Sequence, residues 1–133
     1  MGRVAFLFAG QGAQVPGMAG DVAHLPKVKK LFDLADGIRP GIVDKMLSGT
    51  QEELNRTLLT QPTMFLADLA YAYAKEEEFG APECVCGFSV GEVPALCFAG
   101  ALSEKDAFSA IVKRAELMEA YTQRVQGCMI AVV

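Results

Sequence analysis

Residues 84–96 read CVCGFSVGEVPAL. A short run of thiol and β-branched side chains ends at Gly87, and Ser89 stands between Gly87 and Gly91. Two readings of Ser89 compete. Ser89-x-x-Glu92 ahead of an apolar run has the spacing of a capping box, in which the hydroxyl accepts an orphan amide at a helix start. The alternative is a G-x-S-x-G elbow, a strained strand-to-helix turn that swings the serine outward. A cap has no need of glycine two residues to either side. The elbow does, because strand and helix pass close together there. In that geometry the N–H of Val90 lies at a helix N-terminus, suited to stabilising an oxyanion. Taken alone, the cap is at least as good an account, but under both readings a strand runs straight into a helix.

The flanking sequence repeats that alternation. RVAFLF (3–8) is a short apolar run ending in AGQG, which predicts a buried strand and a glycine loop. PKVKKLFDLADG (26–37) predicts a helix with Pro26 in its first turn and Gly37 beyond its end. GIVDKMLSG (41–49) predicts a short second helix, and Thr50 with Glu53 makes a capping box for a third. Gln61-Pro62 is expected to break the chain. TMFLADLAYAYAKEEEFG (63–80) is apolar almost all round, as a central buried helix would be. CVCG is the second strand, VGEVPALCFAGAL (90–102) opens the next helix, and Ser103 with Asp106 starts one reaching about residue 124. CMIAVV (128–133) reads as a third strand. Strands alternating with helices predict an α/β fold with a parallel sheet.

Composition narrows the function. The 133 residues are 52% hydrophobic with a net charge of −4 and no basic block, which argues for one soluble domain and against a nucleic-acid partner. No apolar run approaches the roughly 20 residues a membrane-spanning helix needs. The N-terminal apolar run is too short for a secretory signal, and Phe6 stands where a myristoylation motif wants Ser or Thr. Four cysteines (Cys84, Cys86, Cys97 and Cys128) lack zinc spacing, and His24 is the only histidine, so no metal site is expected. Cys84 and Cys86 share one face of a strand and sit too close for a relaxed disulfide. All four are expected as small buried thiols in a reducing cytoplasm.

FLFAGQGAQ (6–14) is the second constellation. Gly10 and Gly12 fit the dinucleotide pattern G-x-G-x-x-G, but Val15 replaces its third glycine, and no Walker lysine follows. The loop offers exposed amides, notably that of Gln11; by itself it reads as a turn. Together, FLFAGQGAQ and GFSVGE (87–92) resemble the malonyl-CoA:acyl-carrier-protein transacylases and the acyltransferase domains of fatty-acid and polyketide synthases. The likeness continues through EELNRTLLTQP (52–62), the R-x-x-x-M of KRAELME (113–119) and the Gly-x-Met of GCMIAVV (127–133), so it covers essentially the whole chain.

The resemblance implies roles for particular residues. Ser89 would attack the thioester of malonyl-CoA and carry the malonyl group as an ester. The backbone amides of Gln11 and Val90 would form the oxyanion hole, and Arg114 would hold the malonyl carboxylate by a bidentate pair. Gln61, Phe88 and Met118 would line the pocket. The acyl group would pass to the phosphopantetheine thiol of an acyl carrier protein, with no cofactor. Arg114 also has support from periodicity. It falls about 40° from Met118, beside an apolar stripe of Phe108, Ile111, Val112 and Ala115. A surface arginine with its stem along that edge would fit the periodicity as well.

Three departures from the family stand out. Phe88 occupies a position most often filled by His, which implies a less polar pocket. Pro94 replaces a usual Ser and deprives the Val90 carbonyl of its helical partner, so a local distortion is expected. The third is length. The resemblance implies an incomplete α/β-hydrolase-like core of the acyltransferase large subdomain over 1–126, with 127–133 the first strand of a ferredoxin-like small subdomain. The catalytic histidine would lie beyond, and His24 matches no family site. These 133 residues alone are therefore expected to be inactive, and to self-associate or pair with a complementing chain through an open sheet edge. Two other functions fit the same residues. One is a non-catalytic module binding carrier protein, CoA or a partner chain. The other is a serine esterase of α/β-hydrolase type, disfavoured because no acid and histidine follow in the required order.

Overall fold

The computed structural model describes residues 3–125 and 127. Strand β1 (Ala5–Phe8) leads through a long turn segment to α1 (Pro26–Ile38), α2 (Ile42–Ser48), α3 (Gln51–Leu54) and α4 (Thr57–Phe79). Strand β2 (Cys84–Gly87) follows, then a 3₁₀ turn (Ser89–Gly91), α5 (Glu92–Phe98) and α6 (Glu104–Thr122). The strands pair in parallel, Ala5 opposite Cys84 and Phe8 opposite Gly87, as the alternating pattern predicts. The stretch 128–133, expected as a third strand, lies outside the described residues, as does Cys128.

Helix α4 is the axis of the domain. It packs against α1, α2, α5 and α6 and against the turn that follows β2. From Thr60 to Ala67 every residue is buried, the consequence of a helix apolar on all sides. Phe65 meets Phe108 of α6 with ring centroids 5.7 Å apart. On the sheet, Phe6 and Phe8 point to the same side and meet Phe98 of α5, at 5.6 and 5.8 Å.

Three expectations are corrected. Pro62 does not break the chain; it lies inside α4, within its second turn. A proline there leaves the carbonyl four residues earlier, that of Leu58, without its amide. The guanidinium of Arg39 takes that amide's place, donating from Nη1 to the Leu58 oxygen at 2.7 Å. Gly37 falls inside α1 rather than past it, and the last turn closes through the Arg39 amide donating to Ala35. Cys84 and Cys86 are exposed, and of the described cysteines only Cys97 is buried. The alternation of β2 sends both thiols to the sheet face opposite Phe6 and Phe8, alongside Leu7, which is 80% exposed. No described helix covers that face.

Candidate active site

β1 and β2 end side by side, so the loops leaving them, 9–12 and 88–91, emerge together at one end of the sheet. This is where ligands bind in open parallel sheets. Ser89 heads the second loop with φ at +53°, in the left-handed region. For a residue with a Cβ that conformation costs roughly 1–3 kcal/mol and persists only where neighbours impose it. Here the neighbours are visible. A Cβ on Gly87 would run into the carbonyl of Gly91 and the amide of Glu92, and one on Gly91 into the carbonyls of Phe8 and Ala9. Strand, turn and helix are thus in backbone contact, and only glycine fits at both positions.

The capping reading fails. Ser89 is the N-cap of neither the turn nor α5, which begin after Phe88 and Gly91, and neither of those positions makes a side-chain cap bond. The hydroxyl is left at the surface, while Val90 beside it is 1% exposed. Among the described residues, neither the amide of Val90 nor that of Gln11 donates to a protein acceptor. Two unpaired N–H groups thus project from the adjacent loops that carry Ser89 and Gln11. Phe88 is exposed, with its ring edge and carbonyl against Gly10, where an added Cβ would sit 2.6 Å from Cδ1. Pro94 falls in the first turn of α5, where an amide has no intrahelical partner to lose. The irregularity after the elbow is the 3₁₀ turn that comes before α5.

Arg114, Gln61 and Met118 form a second cluster between α6 and α4. Arg114 Nη1 donates to Gln61 Oε1 at 2.5 Å, and Gln61 Nε2 donates to Thr57 Oγ1 at 2.9 Å and to Met118 Sδ at 3.3 Å. Gln61 is wholly buried and Arg114 half-buried, so Arg114 is held at the interface of the two helices rather than lying free on the surface. One donor of its five-donor fork is used among the described residues, which leaves the remainder for an anion. Among the described residues no hydrogen bond joins this cluster to Ser89. Helix α4 is the link, since it carries Gln61 and also packs against the elbow turn. His24 is exposed in the turn segment before α1 and has no described bond to Ser89.

Sequence reasoning passed over one group, Asp68. It lies on α4 beside an open groove of about 410 Å³ along β1, with Tyr71 and Lys75. Its Oδ1 accepts the Ala9 amide at 3.4 Å, and its Oδ2 is buried without a partner. Burial pushes the carboxyl up to about 7, with the Ala9 bond acting weakly the other way. A single acid within the apolar stretch 64–74 of α4 was the available signal. Because the folded state holds this proton above the ordinary range of Asp, stability is expected to fall as pH rises from about 4 to 7, by at most roughly 4 kcal/mol. Asp68→Asn should flatten that slope. Urea denaturation of both proteins at pH 5 and pH 8 measures it, and equal slopes would show that Asp68 ionises normally.

Comparison with known proteins adds to this geometry. A family described as acyl transferase domain matches residues 5–133. The mouse mitochondrial malonyl-CoA-acyl carrier protein transacylase is 38% identical over 132 residues, 96% of this chain and 35% of that protein. The crystal structure of an acyl-carrier-protein S-malonyltransferase from Burkholderia pseudomallei superposes with a TM-score of 0.80 at 37% identity, covering 88% of this chain and 39% of that one. A malonyl-transacylase solved in complex with its type II polyketide-synthase acyl-carrier protein gives a TM-score of 0.80 at 34% identity, over 90% of this chain and 40% of that one. The chain thus spans well under half the length of these relatives. Among its described residues no helix is long and apolar enough to cross a membrane.

Proposed function

Because the chain belongs to the acyl transferase domain family, we propose that it supplies the nucleophile side of a malonyl transfer from malonyl-CoA to an acyl carrier protein, in fatty-acid or polyketide synthesis. The observation that carries this reading is Ser89, strained at φ +53°, uncapped and exposed, with the unpaired amides of Val90 and Gln11 in adjacent loops. Ser89 Oγ attacks the thioester carbonyl, the two amides stabilise the oxyanion, and CoA leaves as its thiol. The phosphopantetheine thiol of the carrier protein then attacks the serine ester and restores the hydroxyl. The resemblance assigns the proton to a histidine in the part of the relatives that these residues do not span. No cofactor enters, malonyl-CoA being the substrate. The exposed thiols of Cys84 and Cys86 suit a reducing compartment, and we take the cytoplasm as the site of action.

Arg114 is the proposed clamp on the malonyl carboxylate, with Gln61 and Met118 holding it in place and Phe88 as apolar wall. In a chain extended through the histidine-bearing part of the relatives (the full-length chain below), Arg114→Ala should slow malonyl transfer about a hundredfold while acetyl transfer changes little. A charge-assisted pair contributes on the order of 2–3 kcal/mol, and only to the charged acyl group. Rates with both acyl-CoA substrates decide the point. Equal losses would make Arg114 a structural partner of Gln61 only.

A further inference from the structure

We propose that Gln14 is a positioning residue that aims the Gln11 amide at the reacting carbonyl, through a latch that ties the β1 loop to α3. The inference rests on the acyl-transfer reading above and names what holds half of its oxyanion hole. Gln14 is polar yet only 8% exposed. Its Oε1 accepts the Gly12 amide at 2.8 Å, and its Nε2 donates to Asn55 Oδ1 at 2.9 Å. Gln51 braces the pair from α3, donating from Nε2 to the Gln14 carbonyl at 3.1 Å and to Asn55 Oδ1 at 2.9 Å.

The consequence for Gln11 follows from the chain path. On one side of it, Gly10 is pressed against Phe88 of the elbow loop. On the other, Gly12 sits at φ +114°, a conformation open to glycine, with nothing within 4 Å of where its Cβ would be. No neighbour therefore packs on that side of Gly12. The Gln14 bond is made by the Gly12 amide, and it fixes the peptide plane between Gln11 and Gly12. With both neighbours held, Gln11 bridges two fixed points and its own amide has one direction. Without the bond, Gly12 rotates freely and the amide loses its aim. Loss of one oxyanion donor costs about a hundredfold to a thousandfold in kcat, so misaiming one should cost about tenfold to a hundredfold. Substrate binding is made elsewhere, and KM for malonyl-CoA should hardly move.

The test uses the full-length chain with Gln14→Met, Gln14→Glu and Asn55→Ala. Gln14→Met removes the acceptor at nearly constant volume. Gln14→Glu keeps an oxygen for Gly12, and the Asn55 amide can turn to donate to it, giving up the bond from Gln51, which keeps its bond to the residue-14 carbonyl. Expected are a tenfold to hundredfold fall in kcat for Gln14→Met at unchanged KM, recovery to within about threefold in Gln14→Glu, and an intermediate loss for Asn55→Ala. Amide exchange at Gly12, followed by NMR, should quicken in Gln14→Met and stay slow in Gln14→Glu. Native kcat or native Gly12 exchange in Gln14→Met would overturn the latch. Should Gln14→Met fail to fold, native kcat and Gly12 exchange in Asn55→Ala would overturn it instead. If the native chain forms no acyl-Ser89, the acyl-transfer reading fails first, whereas slow Gly12 exchange that depends on Gln14 would still stand.

Discussion

Ser89→Ala in the full-length chain is expected to abolish the acyl-enzyme and to lower malonyl transfer on the order of a millionfold, the loss seen when a serine site loses its nucleophile. The size of the effect comes from the local geometry. The left-handed Ser89 is held by backbone contacts from Gly87 and Gly91, so alanine can occupy the same turn without disturbing it. The two amides remain, and only the attacking oxygen is removed. Intact mass after incubation with malonyl-CoA should show one malonyl adduct on the native chain and none on the variant. The exposed thiols of Cys84 and Cys86 make peptide mapping necessary, since either is accessible to a thioester. They lie on β2, on the strand side of the turn. An adduct persisting in Ser89→Ala, on a cysteine or elsewhere, would remove Ser89 from the mechanism.

Residues 1–133 produced alone should turn malonyl-CoA over slower than the full-length chain by a similar factor. A serine hydroxyl is a weak nucleophile unless a base takes its proton. The one histidine in these residues, His24, is exposed and unconnected to Ser89. The physical behaviour should change as well. The described sheet has two strands, hence two unpaired edges, and one face carries Leu7 at 80% exposure beside two exposed thiols. Parallel sheets are ordinarily covered on both faces, and open edges recruit further strands. We therefore expect residues 1–133 alone to self-associate, or to be rescued by a second polypeptide carrying the rest of the fold. Light scattering and transfer to carrier protein measure the two effects together. A monomeric segment turning over at the full-length rate would mean that the base lies within these residues.

Much of this molecule follows from patterns a few residues long. The parallel α/β plan, the buried character of α4, the Thr50–Glu53 capping box and the glycine spacing around Ser89 depend on alternation or on neighbours three and four apart. Such neighbours meet whatever the rest of the chain does. Arg114 at the edge of an apolar stripe is of the same kind. Other features were settled by partners far along the chain. Pro62 stays inside a helix because Arg39, just past the end of α1, reaches the carbonyl it leaves open. Ser89 was ambiguous between cap and nucleophile until Gly91 met the carbonyls of β1 and set the turn. Cys84 and Cys86 alternate as any strand does, but only the packing of α5 against the other face decided that theirs is the open one. Gln14 and Asp68 became visible only when the β1 loop met α3 and α4. A short-range pattern specifies which hydrogen bonds a segment can make by itself. The bonds it cannot make are completed by whichever residues the tertiary fold brings near, and these were the ones legible only in the structure.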